Sequence, residues 1–260
     1  MKLMTRLMGA AAIAVSAMTA TPIWADGSLV ILSTQTPRHL NGAVQSGIAT
    51  AVPSTQLFAS LVRYDSGWEP QPYLAKSWET SEDGRTITFR MVDNATFHDG
   101  TPVTSADAKF TYEYCTAPDG GCAQASRYEG ITSIDTPDDQ TVVINFDGPK
   151  PNPYQAFVGG TSPILQKAQF ANCMGAAAST CTEQNFNPIG TGPFRVVEFK
   201  TNDTVTLEAN PNYRDPAKPA FAKMVVKGGG DAESAARAVM QTGEFDYAWN
   251  TQINPELQAQ

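Results

Sequence analysis

Residues 223–250 read "KMVVKGGGDAESAARAVMQTGEFDYAWN". An apolar run feeds three glycines. Asp231 then caps a helix whose apolar stripe is Ala235, Ala236, Val239 and Met240, and Gly243 stops it. A second short run ends at Trp249 and Asn250. Strand, helix, strand in so short a span cannot close as a hairpin. The crossover places the two strands parallel in one sheet, and such a sheet needs helices over its faces. At least part of the chain is therefore α/β.

The rest of the chain alternates with period two. "SWETSEDGRTITFRM" predicts a hairpin turning at Asp83-Gly84, with Ile87, Phe89 and Met91 on one face. "ITSIDTPDDQTVVINF" predicts another, with Val142, Ile144 and Phe146 on one face, and "FRVVEFKTNDTVTLEANPNY" a third around Asn202-Asp203. Asp99-Gly100 is a further turn. Leu29 to Leu32 is a buried first strand. Leu57, Leu61 and Tyr64 fall at helical spacing and predict a helix ending near Arg63. Thr104 and Asp107 form a capping-box pattern, with Val103 and Ala108 placed as a staple and Phe110 and Tyr114 one turn apart. "SPILQKAQF" suggests a short helix. Hairpins beside a parallel crossover point to an α/β lobe carrying a β-rich accessory part.

Lys2 and Arg6 precede an uncharged, Ala-rich run from Leu7 to about Ala20, and Pro22 and Ala25 follow. This is the layout of a secretory signal peptide, residues 1–25, with cleavage after Ala25. The run is too short and too weakly apolar for a membrane span. The whole chain of 260 residues carries a net charge of −8. Without Lys2 and Arg6, 16 basic residues face 26 acidic ones. So acidic a chain has no electrostatic reason to seek phosphate backbones, and nucleic acid is a poor partner. The four cysteines fall in two local pairs, Cys115 with Cys122 and Cys173 with Cys181. In an oxidising compartment neighbouring thiols pair, although four cysteines allow three connectivities. Zinc is disfavoured, because neither His39 nor His98 lies beside a cysteine. No cofactor or metal is expected.

"NPIGTGPFRVVEF", residues 187–199, poses the sharpest chemical question. A phosphate loop needs Lys and Ser or Thr after its second glycine, and then a helix. Here Pro193 and Phe194 follow, and a strand comes next. The glycines instead predict a stiff turn, in conformations open to glycine and fixed by Pro188 and Pro193 on either side. There is no G-x-S-x-G elbow. Any histidine-based catalysis must use His39, in the loop after the first strand, or His98, in a turn where local hydrogen bonding is the simpler role. Carboxylate pairs such as Asp138-Asp139 fall on polar turns. Trp68, Tyr73, Trp78, Tyr128 and Trp249 offer broad apolar surfaces with polar tips, suited either to packing or to lining a cleft.

Together, "LAKSWETSEDGRTITFRM", "ATFHDGTPVTSADAKFTYEY", "PIGTGPFRVVEFKTNDTVTLEANPNYRDPAKPAF" and "AARAVMQTGEFDYAWN" resemble the family 5 extracellular solute-binding proteins of ABC importers, of the oligopeptide- and dipeptide-binding type. The resemblance implies a periplasmic binding protein-like fold of the class II type. Residues 26–260 would form its first lobe, with the β-rich accessory subdomain within about 65–185 and the second lobe missing. It implies a monomeric, periplasmic, non-enzymatic protein that traps a peptide between two lobes for delivery to ABC permease subunits. By matched position, the ligand-binding residues would be Gln35, Thr36 and Pro37, then Tyr128, and Trp249 with Asn250. Leu40-Asn41-Gly42 departs from the family's Leu-Asp-Pro, which weakens carry-over into that loop. Oligosaccharide, opine or nickel-complex receptors on the same fold, an exported hydrolase using His39, and a sensor or chaperone-like protein are the alternatives.

Overall fold

The structure is a computed structural model, which describes residues 25–249 together with Gln252 and Pro255. Apart from Ala25, the expected signal segment lies outside the described residues, as does Asn250. In chain order the elements are β1 (Ala25–Ser33), α1 (Ile48–Leu57), β2 (Val62–Tyr64), β3 (Pro70–Pro72), β4 (Ala75–Thr80), β5 (Thr86–Met91) and α2 (Ser105–Thr116). There follow β6 (Ile131–Asp138), β7 (Thr141–Phe146), α3 (Lys167–Phe170), α4 (Thr182–Phe186), β8 (Phe194–Lys200), β9 (Thr204–Ala209), β10 (Phe221–Gly228), α5 (Ala232–Arg237) and β11 (Tyr247–Trp249).

Two larger sheets carry the fold. One is mixed, in the order β11-β1-β10-β9-β8; the other is antiparallel, in the order β4-β5-β7-β6. The small β2-β3 pair stands apart. β10 and β11 are parallel, as the crossover requires, but they are not neighbours. β1 lies between them and pairs parallel with both, Ser33 standing opposite Gly228 on one side and Trp249 on the other. The first strand of the chain is thus enclosed by the last two.

The hairpins form where alternation and turn chemistry agree. Gly84 (φ 67°) and Asn202 (φ 63°) take the left-handed conformation their turns need. Asp83 fastens its turn by accepting from the Ser81 hydroxyl and the Arg85 N–H. Ile87, Phe89 and Met91 on β5, and Val142 and Ile144 on β7, are fully buried, with Phe146 nearly so. Each such side chain contributes roughly 1.5–3 kcal/mol by leaving water. One continuous cluster joins them to Ile31, Leu207 and Met224 of the other sheet, so the two sheets share a core. Both disulfides form between sequence neighbours, Cys115–Cys122 and Cys173–Cys181.

Two sequence expectations are corrected. The helix expected to end near Arg63 ends at Leu57, where Phe58 turns extended; Leu61 follows in a loop, and Tyr64 pairs with Pro70 in β3. Met240 is 58% exposed rather than part of a buried stripe. Residues Ala238–Thr242 are wound as a π-helix, whose changed period leaves Ala235 and Ala236 buried and Val239 packed against the core, and puts Met240 outside it.

Candidate ligand-binding site

In sheets of this kind ligands gather beyond the carboxyl ends of parallel strands. Here three such ends, Ser33, Gly228 and Trp249, lie side by side. The loop that leaves β1 begins at the same place. The Ser33 hydroxyl donates to the Gln35 carbonyl (2.7 Å), and the Thr36 hydroxyl donates to Asn202 Oδ1 (3.4 Å). Thr36 packs so closely on Gly228 that any side chain there would collide with it. Gln35 is exposed, Thr36 and Trp249 are half-buried, and Pro37 is buried. Thr36 thus lies over the end of β10, and Trp249 ends β11 on the other side of Ser33, with Gln35 at the exit of β1.

Tyr128 does not join them. It is 4% exposed, stacked edge-on against Phe157 (5.6 Å between ring centres) and tilted against Tyr112 (5.9 Å). Burial pushes its hydroxyl pKa well up. This predicted ligand contact is instead a core residue. Leu40 and Asn41 are buried as well. The Asn41 amide donates to Asn185 Oδ1 (2.9 Å), and its carbonyl oxygen accepts from the Ala43 N–H. The departure at Leu40-Asn41-Gly42 therefore lies in an internal network that ties the first loop to α4.

Gly190-Thr191-Gly192 meets the end of α1. The Gly192 N–H donates to the Leu57 carbonyl (2.8 Å), and the Thr191 hydroxyl accepts from the Ala59 N–H (3.0 Å). A Cβ at Gly190 or Gly192 would strike the backbone of Gln56-Leu57. Neither glycine has a positive φ. Close backbone approach, rather than a special conformation, is what excludes side chains here.

His98 clamps this turn rather than bonding locally. Its Nδ1 accepts from the Gly190 N–H (3.1 Å), so Nε2 carries the proton toward the Gly192 carbonyl (3.3 Å). Burial lowers its pKa to about 4. His39 is also lowered, by burial and then by Arg38, and its Nδ1 accepts from the Asn41 N–H (3.3 Å). Both rings are thus engaged by backbone.

A second concave surface lies along the exposed flank of α1. Two hollows of about 300 and 290 Å³ adjoin there, sharing Thr55, Tyr64, Gly159 and Gly160. Trp68 and Tyr73 stand out from sequence as candidate surfaces. Arg63 and Arg127, which also line the hollows, carry no sequence signal, because the fold brings them together from distant segments.

Residues 69–260 match the family model for bacterial extracellular solute-binding proteins, family 5. The chain belongs to that family. A putative ABC transporter peptide-binding protein of Brucella ovis is 34% identical over 193 residues, 74% of this chain and 36% of the relative. The solved structure of the oligopeptide-binding protein AppA from Bacillus subtilis, in complex with a nonapeptide, superposes with a TM-score of 0.77 at 28% identity. It covers 85% of this chain and 44% of AppA. AgaA of A.tumefacien R10, in complex with agropinic acid, gives 0.76 at 27% identity, covering 84% of this chain and 43% of AgaA. The chain thus spans less than half the length of these relatives. The mixed α/β architecture is that of periplasmic binding proteins of this family.

Proposed function

We propose that this chain is the first lobe, residues 26–260 behind a cleaved signal peptide at 1–25, of an exported substrate-binding component of an ABC importer. Its β-rich accessory subdomain lies within about residues 65–185. The protein is a periplasmic monomer that captures peptides between this lobe and a second one, for delivery to permease subunits. The observation that carries the reading is the adjacency of three parallel strand ends, Ser33, Gly228 and Trp249, in a chain whose relatives are named as peptide-binding transporter components; Gln35, Thr36 and Trp249 are the side chains this reading assigns to the ligand.

Backbone groups at strand ends pair with peptide amides without reading side chains, and the Trp249 indole covers an apolar side chain. Asn250, next in sequence, adds an amide. The protein transforms nothing. The Nδ1 lone pair of His39, the ring a hydrolase would use, is taken by the Asn41 N–H.

Mass spectrometry of ligand released from the natural gene product, purified without refolding, tests this. Short peptides support the reading. An opine, sugar or metal complex overturns the peptide assignment and favours another solute on the same fold. Turnover of a peptide, lost in His39→Ala, would overturn capture itself. Trp249→Ala is expected to weaken peptide binding about tenfold, equivalent to about 1.4 kcal/mol.

A further inference from the structure

We propose that the groove between α1 and the 155–163 segment binds a small organic carboxylate with an apolar body. A free acid and the carboxyl end of a peptide are the two sources; only the second rests on the peptide reading above. Three independent observations converge on it.

The first is shape. The two hollows adjoin along Thr55 and Tyr64, and each has a volume at the lower end of those that accept small ligands. Phe58 and Tyr73 line one, Trp68 and Val158 the other.

The second is charge. Each hollow is lined by one arginine. Arg63 lies with its guanidinium carbon 5.5 Å from the centre of the Tyr73 ring. Arg127 is anchored by donation from Nη1 to the Ser162 hydroxyl (3.2 Å). Among the described residues, neither forms an ion pair with a carboxylate. The neighbouring Asp65 carboxylate is taken up by its own turn and leaves both guanidiniums without a carboxylate. A guanidinium is a planar fork that matches a carboxylate. Two of them over an apolar floor fit an anion with an apolar body better than a hydrated inorganic ion.

The third is backbone strain. Trp68 sits at φ 64°, a conformation that costs a bulky residue on the order of 1–3 kcal/mol. The Asp65 carboxylate holds the turn by accepting from the N–H groups of Gly67 and Glu69 and from the Gln71 amide. The result is a tryptophan that is 77% exposed, tilted against Tyr64 (5.7 Å between ring centres) and lining the groove. Core packing does not account for that placement; a wall for an apolar ligand does.

Calorimetric titration of this chain with 3-phenylpropanoate, its neutral amide, the peptide Gly-Gly-Phe and that peptide's carboxyl amide tests the site. The free acid is expected to bind at least about tenfold more tightly than its amide. Arg63→Gln and Arg127→Gln should each erase most of that preference. Trp68→Ala should weaken binding about tenfold while leaving the melting temperature unchanged, as its exposure implies. If Gly-Gly-Phe shows the same dependence on both arginines, the source is a peptide end. If 3-phenylpropanoate alone does, the groove stands as a site for free acids and the peptide source is rejected, whatever peptide binding Trp249 supports. Equal binding of acid and amide, indifference to the arginine variants, or no binding by about 10 mM overturns the proposal.

Discussion

His98 shows how one side chain can join parts of the fold that are far apart in sequence. Its two nitrogens are matched to an N–H and a carbonyl of the same turn, and this match suits only the neutral ring. A second proton on Nδ1 would face the Gly190 N–H, donor against donor, in a site that already disfavours charge by burial. The folded pKa of about 4 lies below the ordinary 6.5. The unfolded chain therefore binds the proton more readily, and the stability that the neutral ring supports is present above pH 6.5. It is lost as pH falls from 6.5 through 4, to a limit of roughly 3 kcal/mol. Denaturation of the wild type and of His98→Gln at a series of pH values checks this. The wild type should lose more stability than the variant across that window, and parallel curves would remove His98 as the cause. His39 is shifted in the same direction but is present in both proteins, so it cancels from the difference.

At the scale of elements, one carboxylate joins the start of α2 to the start of α3. Asp107 is buried, and its Oδ2 accepts from the Thr104 N–H and hydroxyl while its Oδ1 accepts from the Lys167 N–H at the start of α3. The capping-box pattern forecast the contacts within the helix; the bond to Lys167 lies 60 residues away and left no local trace. Asp107→Ala leaves three part-buried donors without this acceptor and should cost about 1–2 kcal/mol. Urea titration should show a lower midpoint at unchanged slope. A loss under about 0.5 kcal/mol would mean that water replaces the carboxylate. The same contrast explains what was legible in the sequence. The three hairpins were, because alternation and the turns at Asp83-Gly84, Asp138-Asp139 and Asn202-Asp203 are local. The end of α1 was not, because it is set by Gly192 and Thr191 taking up the Leu57 carbonyl and the Ala59 N–H from more than a hundred residues away. Nor was the insertion of β1 between β10 and β11, which no local period encodes. At the candidate site, Gln35, Thr36 and Trp249 come from matched position in the family rather than from any local pattern. Tyr128 was misassigned because an aromatic residue in a loop looks the same in sequence whether its ring faces solvent or, as here, Phe157.

At the scale of the molecule, the part that bears Trp249 is the part least tied to the rest. The main cluster runs through both sheets without α5 or β11. Those two elements pack around a separate small group of Leu32, Ala235 and Phe245. Among the described residues β11 is three residues long and pairs with β1 alone. Its approach is fastened by Asp246, whose N–H donates to the Val30 carbonyl and whose carboxylate accepts from the Val30 N–H. Few buried apolar contacts and a short ladder define a unit that opens before the whole. Native-state hydrogen exchange should therefore find amides of Tyr247, Ala248 and Trp249 opening with a free energy at least about 2 kcal/mol below those of β5 and β7. Equal values in both places would show one cooperative unit. The difference bears directly on capture. A ligand seated at the strand ends binds only when β11 is in place, so it stabilises the closed form by about 2.7 kcal/mol at a hundred times its dissociation constant. Protection should then rise selectively at β11 and in the loop after β1. A ligand confined to the groove along α1 would instead raise it near Thr55 and Gly159, leaving β11 as it was. One exchange map thus locates the occupied surface, and unchanged protection at β11 with a bound peptide would place capture away from Trp249.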